Sequence, residues 1–128
     1  MKPSLCIVGS HPDVTKEIEA IPKYGAWDVM AIGLDAVNKY LERILYVATY
    51  HPVEIEMIRE RRRSVGGNLD YRVISHESHP GVDIIIRDWW RPSGSSALLG
   101  VQAAIRFGYT KIVLCGCPLI GINDKGSK

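Results

Sequence analysis

The residues of this chain best suited to holding an anion are Arg91 and Ser93-Gly94-Ser95-Ser96, which open an almost wholly apolar run from Ala97 to Phe107. Small hydroxyl and glycine residues at a helix start leave several backbone N–H groups free, and the helix dipole adds partial positive charge there. Such an end takes a phosphate or a carboxylate, and an arginine beside it adds a charge-assisted contact. The same residues also serve as an ordinary helix cap. A second turn, Gly9-Ser10-His11-Pro12, carries a glycine that lets a ligand approach the backbone closely. Trp89 and Trp90, next to Arg91, offer rings for stacking on a nucleobase or for packing under a loop. Neither G-x-G-x-x-G nor G-x-x-x-x-G-K-[ST] occurs, so the dinucleotide fingerprint and the P-loop are both missing.

Other chemistries find weaker support. His11, His51 and His76 have none of the paired spacings typical of metal ligands, and no metal site is expected. Gly94-Ser95-Ser96 lacks the G-x-S-x-G frame of a nucleophile elbow. The chain has 3 cysteines. Cys6 sits in the apolar run Leu5-Cys6-Ile7-Val8 and reads as a small buried hydrophobe. Cys115 and Cys117 flank Gly116, a spacing that fits neither a zinc knuckle nor a Cys-x-x-Cys redox pair. A net charge of +2 gives no argument for nucleic acid. No apolar run is long enough to span a membrane. Met1-Lys2-Pro3-Ser4 leads straight into a strand-like run without a signal-peptide core, so a cytoplasmic location is expected.

The elements that must position these residues alternate. With 128 residues, 46% hydrophobic and 23% charged, the expectation is one globular domain over 1–128, with a C-terminal truncation left open. Continuous apolar runs at Leu5–Val8, Val29–Ile32, Ile44–Thr49, Tyr71–Ser75, Val82–Ile86 and Lys111–Gly116 predict strands buried on both faces. Helical spacing is predicted over Asp13–Ile21, then from Asp35 as cap through Val37, Tyr40, Leu41 and Ile44. A third helix follows Pro52, with Val53, Met57 and Ile58 as its inner stripe. It ends in Arg59-Glu60-Arg61-Arg62-Arg63, a basic run that complements the helix dipole and is expected to be solvated, with an anionic partner as the alternative. The last helix stops at Gly108. This order argues for a Rossmann-like three-layer α/β sandwich with a mainly parallel central sheet and Ile7, Val29, Val47, Ile85 and Val113 in its core. All four histidines (His11, His51, His76 and His79) then follow strand ends, as do Ser10, Asp35, Trp89, Trp90 and Ser93. In open parallel sheets that rim is where ligands bind.

On these motifs the chain resembles bacterial sialyltransferases of the lipooligosaccharide type. Gly9-Ser10-His11-Pro12-Asp13 with Lys16-Glu17-Ile18 looks like their opening G-N-G-P-S segment. Trp27-Asp28-Val29 through Asp35, then Tyr50-His51-Pro52, fall in the order of the family's second and third strand ends. Ser93-Gly94 through Phe107-Gly108-Tyr109-Thr110-Lys111-Ile112 to Gly116 is similar to their S-G-x-x-x-x-x-x-A-x-x-x-G-Y-K-E-I-Y-L-S-G-I-D segment. The domain of unknown function shared with archaeal pterin pyrophosphokinases has a similar glycine-then-strand signature. The resemblance implies that Gly9, Ser10, His11, Ser93 and Gly94 contact a cytidine-nucleotide sugar. The departures are Ser10 for the first asparagine, His11 for the second glycine, the Gly33-Leu34 region for a later asparagine, and Pro118 for the final aspartate. The family's catalytic histidine lies beyond the last matched strand.

Taken together, the residues and the resemblance predict a nucleotide or nucleotide-sugar site made of Gly9, Ser10, His11, Asp35, Arg91, Ser93, Gly94, Ser95 and Ser96. No resident cofactor is expected, and homo-oligomerisation stays open. Glycosyl transfer is the reaction the resemblance implies. The alternatives are a non-catalytic binding or interaction module and a pyrophosphoryl-transfer enzyme.

Overall fold

The computed structural model describes residues 4–10, 27–87 and 96–116. The predicted helix over 13–21 lies outside them, as do His11, Trp89, Trp90, Arg91, Ser93, Gly94 and Ser95. Among the described residues six strands form one sheet: β1 Ser4–Val8, β2 Trp27–Ile32, β3 Tyr46–Ala48, β4 Arg72–Ser75, β5 Ile84–Ile85 and β6 Ile112–Cys115. Every pairing is parallel, in the order β5-β4-β3-β2-β1-β6. Among the described residues the helices are α1 Gly33–Ala36, α2 Ile55–Ser64, which a short 3-10 turn at Pro52–Glu54 introduces, and α3 Ser96–Phe107.

Alternation along the apolar strands sends side chains to both faces of the sheet. Cys6, Val8, Val29, Ala31, Val47 and Val73 face one side and pack with Ala36, Val37, Ile44, Ile55 and Ile58 around α1 and α2. Leu5, Ile7, Met30, Ala48 and Ile74 face the other and meet Leu99, Ala103 and Ala104 of α3. The result is the three-layer Rossmann-like α/β sandwich. α3 comes close to the sheet at Gly100, where a Cβ would stand 2.9 Å from both Met30 Sδ and Ile32 Cδ1.

Of the expected core, Ile7, Val29 and Val47 are buried and Val113 is half-buried, but Ile85 is 41% exposed. It lies on β5, the edge strand, and Ile86, the residue after that strand, is buried instead. Four strands, β3 to β6, are shorter than predicted, and next to β3 and β5 a side chain takes the place of a backbone partner. Asn68 pairs with Ile44 like a strand, accepting from its N–H at 2.9 Å and donating to its carbonyl at 2.8 Å. Asp83 Oδ2 likewise takes the Val73 N–H at 2.8 Å.

The expected stripe of α2 needs correction: Val53 and Met57 are 76% and 55% exposed, and the inward residues are Ile55, Ile58 and Arg62. The 3-10 turn, with three residues per turn rather than 3.6, shifts the phase of the helix that follows. Arg62 also corrects the expectation of a solvated basic run, because it is fully buried. All five of its N–H donors are used. Nη1 donates to the carbonyls of Val37 and Tyr40, Nη2 to the Glu42 carbonyl and Asn68 Oδ1, and Nε to the Asn68 carbonyl. Burial pulls its pKa below the ordinary arginine value. Gly67 is required by this arrangement, since a Cβ there would overlap Nε and Cζ of Arg62. Arg61 and Arg63 pair with Asp35 and Glu60, so most of the run is already engaged within the chain.

Candidate functional site

A wholly parallel sheet brings all its carboxyl ends to one edge. Successive strands run outward from β1 to β5, and then the chain returns to lay β6 against the other side of β1. The strand order therefore reverses between β1 and β6, and such a reversal opens a crevice beyond the carboxyl ends. At that point the Gly9 N–H donates to the Cys115 carbonyl at 2.7 Å, which carries the β1–β6 ladder to the rim. Gly9 is buried and Ser10 exposed, directly above the reversal. Below them the buried Cys6 and Cys115 hold their sulfurs 3.4 Å apart.

Ser96 lies on the same edge. It is the first residue of α3, and its Oγ accepts the Tyr50 N–H at 2.9 Å, fastening the helix start to the end of β3. β1 and β3 are separated by β2 alone, which puts Gly9 and Ser96 on one rim about two strand spacings, roughly 10 Å, apart. The ends of β3 and β4 are tied together there. Ser75 Oγ donates to the Thr49 carbonyl at 2.7 Å, and Thr49 Oγ1 accepts the His51 N–H at 2.9 Å. The ring of His76 packs on that of Tyr50 with centroids 4.2 Å apart and planes inclined at 44°.

Asp35 behaves differently from its predicted role. It lies inside the single turn of α1 rather than at its cap. Its carboxylate accepts from Arg61 Nη1 at 3.0 Å, on the face covered by α2. Three of the four histidines are described, and each follows a strand on this edge: His51 after β3, His76 and His79 after β4. Among the described residues no group of three His, Cys, Asp or Glu side chains is placed to hold a metal ion. Nor is any described helix long and apolar enough to cross a membrane.

The opposite, amino-terminal edge is closed by aromatic packing. Tyr46 and Phe107 rings stand 5.1 Å apart, and the Tyr109 hydroxyl donates to Asp28 Oδ2 at 2.6 Å. Burial first, and then the bond to Asp28, pushes the Tyr109 phenol far above its usual pKa. The same amino-terminal edge also carries an exposed ion pair, Arg43 with Asp70, ahead of β3 and β4. The contribution of Tyr50 to the carboxyl edge was missed from sequence. Its one signal there is an aromatic residue immediately past a strand end, beside a histidine.

Compared with known protein families, with curated proteins and with solved structures, the chain gives no match.

Proposed function

We propose that this domain binds a nucleotide or nucleotide-sugar along the carboxyl edge of its sheet, as a cytoplasmic small-molecule binder related in chemistry to sialyltransferase-like glycosyltransferases. The observation that supports this reading is that Gly9 and Ser10, beside the reversal of strand order, share one rim with Ser96 at the end of β3. Ser10 has the open surroundings a ligand needs, and Gly9 allows close backbone approach. Helix α3 presents its positive dipole end to the same rim, which favours a phosphate there. The sequence resemblance makes cytidine the preferred base. In this chemistry the protein chiefly orients the donor and stabilises the departing phosphate.

Calorimetric titration with cytidine monophosphate tests the reading. The wild-type domain should bind weakly, and Ser10→Trp, a change at an exposed position, should abolish binding with an unchanged melting temperature. No heat of binding from the wild type, or equal binding by both proteins, overturns the nucleotide reading and leaves an interaction module.

A further inference from the structure

We propose that Cys6 and Cys115 form a redox switch beneath the rim, in which oxidation by a peroxide joins the two sulfurs and pulls the end of β6 away from Gly9. The inference rests on the nucleotide reading for what the switch controls, and on the two cysteines for the rest. They come from neighbouring strands, 109 residues apart in the chain, and their sulfurs stand 3.4 Å apart. Both side chains belong to the layer under α1 and α2. Once one sulfur is oxidised, the other is the nucleophile in contact with it.

The pair is not directly opposed. Cys6 lies beside Val113, and Cys115 lies beside Val8. Two residues along and one strand across put their Cα atoms about 8 Å apart, whereas a disulfide spans about 4.4–6.8 Å. Joining the sulfurs therefore requires the strand ends to slide by about 1–2 Å. β6 is the strand that gives. Among the described strands it is paired on one side only, and Cys115 is its last residue, while β1 is held between two neighbours. Drawing Cys115 back along β1 misaligns its carbonyl from the Gly9 N–H, a bond of 2.7 Å at the rim. Cys6 and Cys115 are 1% and 2% exposed. That burial bars a bulky oxidant such as glutathione disulfide, whereas a peroxide needs only a local opening at the end of an edge strand. One sulfur takes an oxygen from hydrogen peroxide and releases water, leaving a sulfenic acid. The other displaces that oxygen as a second water and closes the S–S bond. The two thiol protons leave in the waters, and the two electrons lost by the sulfurs reduce the peroxide.

The test uses the full chain carrying Cys117→Ser, which leaves Cys6 and Cys115 as its only thiols. Hydrogen peroxide should remove two hydrogens from its mass, dithiothreitol should restore them, and the Cys6 and Cys115 peptides should be found linked. Oxidation should shift the Gly9 amide signal in NMR and speed its hydrogen exchange. It should also weaken binding of cytidine monophosphate about three- to tenfold, the worth of one hydrogen bond. Cys6→Ala and Cys115→Ala, each added to Cys117→Ser, should keep their affinity in peroxide. Oxygen added without a link, a link only between molecules, a linked pair with the Gly9 signal unmoved, or undiminished binding after linking overturns the switch. A linked pair with the Gly9 signal moved, in a protein whose reduced form binds no cytidine monophosphate, overturns the nucleotide reading and leaves the switch standing.

Discussion

Removing the Arg62 side chain should do far more damage than removing either neighbouring arginine. In Arg62→Ala, three backbone carbonyls in the segment after α1, those of Val37, Tyr40 and Glu42, lose a charged donor, as do the carbonyl and side-chain oxygen of Asn68. A buried polar group left unpaired costs about 1–3 kcal/mol. Water will reach some of the five, so two or three left dry put the loss at roughly 2–9 kcal/mol. That is a large share of a domain stability of about 5–15 kcal/mol. Arg62→Lys should recover only part of it, because an ammonium has three donors and no planar fork. Gly67→Ala should produce a similar loss from the opposite side, by displacing the guanidinium. By contrast, Arg61→Ala and Arg63→Ala, which break exposed pairs, should each cost no more than about 1 kcal/mol. Urea unfolding followed by circular dichroism, extrapolated linearly to water, measures all five variants on one scale. Arg62→Ala within about 1 kcal/mol of Arg61→Ala would refute the account of a fully used, dry guanidinium.

Two further outcomes follow from local geometry. Gly100→Val should lower stability by about 1–3 kcal/mol through overpacking against Met30 and Ile32; an unchanged or raised melting temperature would contradict the close approach of α3. The Asp70 carboxyl is held below the usual carboxylate range, first by the Asn68 amide and then by Arg43. A depressed folded-state value means that its stabilising contribution is present above the unfolded carboxylate range and is lost as pH falls through the folded one. The gap in urea midpoint between wild type and Asp70→Asn should therefore shrink as the pH drops below about 4; a gap that widens on acidification has the wrong sign.

The strands were legible because parallel sheets covered on both faces demand continuous apolar runs, and all six runs carry a strand. The last helix was legible too, since Ala97 to Phe107 is apolar and Gly108 ends it. The predicted helix from Asp35 to Ile44 was not: α1 stops at Ala36, and Leu41 is 58% exposed. The cause is distant in sequence. Carbonyls that would have accepted helical N–H groups turn to Arg62, more than twenty residues onward, and no local pattern announces that competition. The same arginine was misread as surface charge because its partners are backbone oxygens, which leave no trace in residue type. At the candidate site, the shared edge followed from strand order and loop position. The bond from Tyr50 N–H to Ser96 Oγ did not, since it joins residues 46 apart by way of a main-chain donor.

The return of the chain to β1 also sets a timetable. Leu5 must wait for Ile112 and Val8 for Cys115 before that side of β1 is paired. At about 5–20 residues per second, a nascent chain would leave this apolar edge open for roughly 5–20 s. β2 is made soon enough to cover the other side, so the exposure is one-sided. An open strand of Leu, Cys, Ile and Val is a template for pairing with other chains. The interval before the last strand emerges is thus the period in which this protein most needs shelter, from the ribosome surface or from a chaperone.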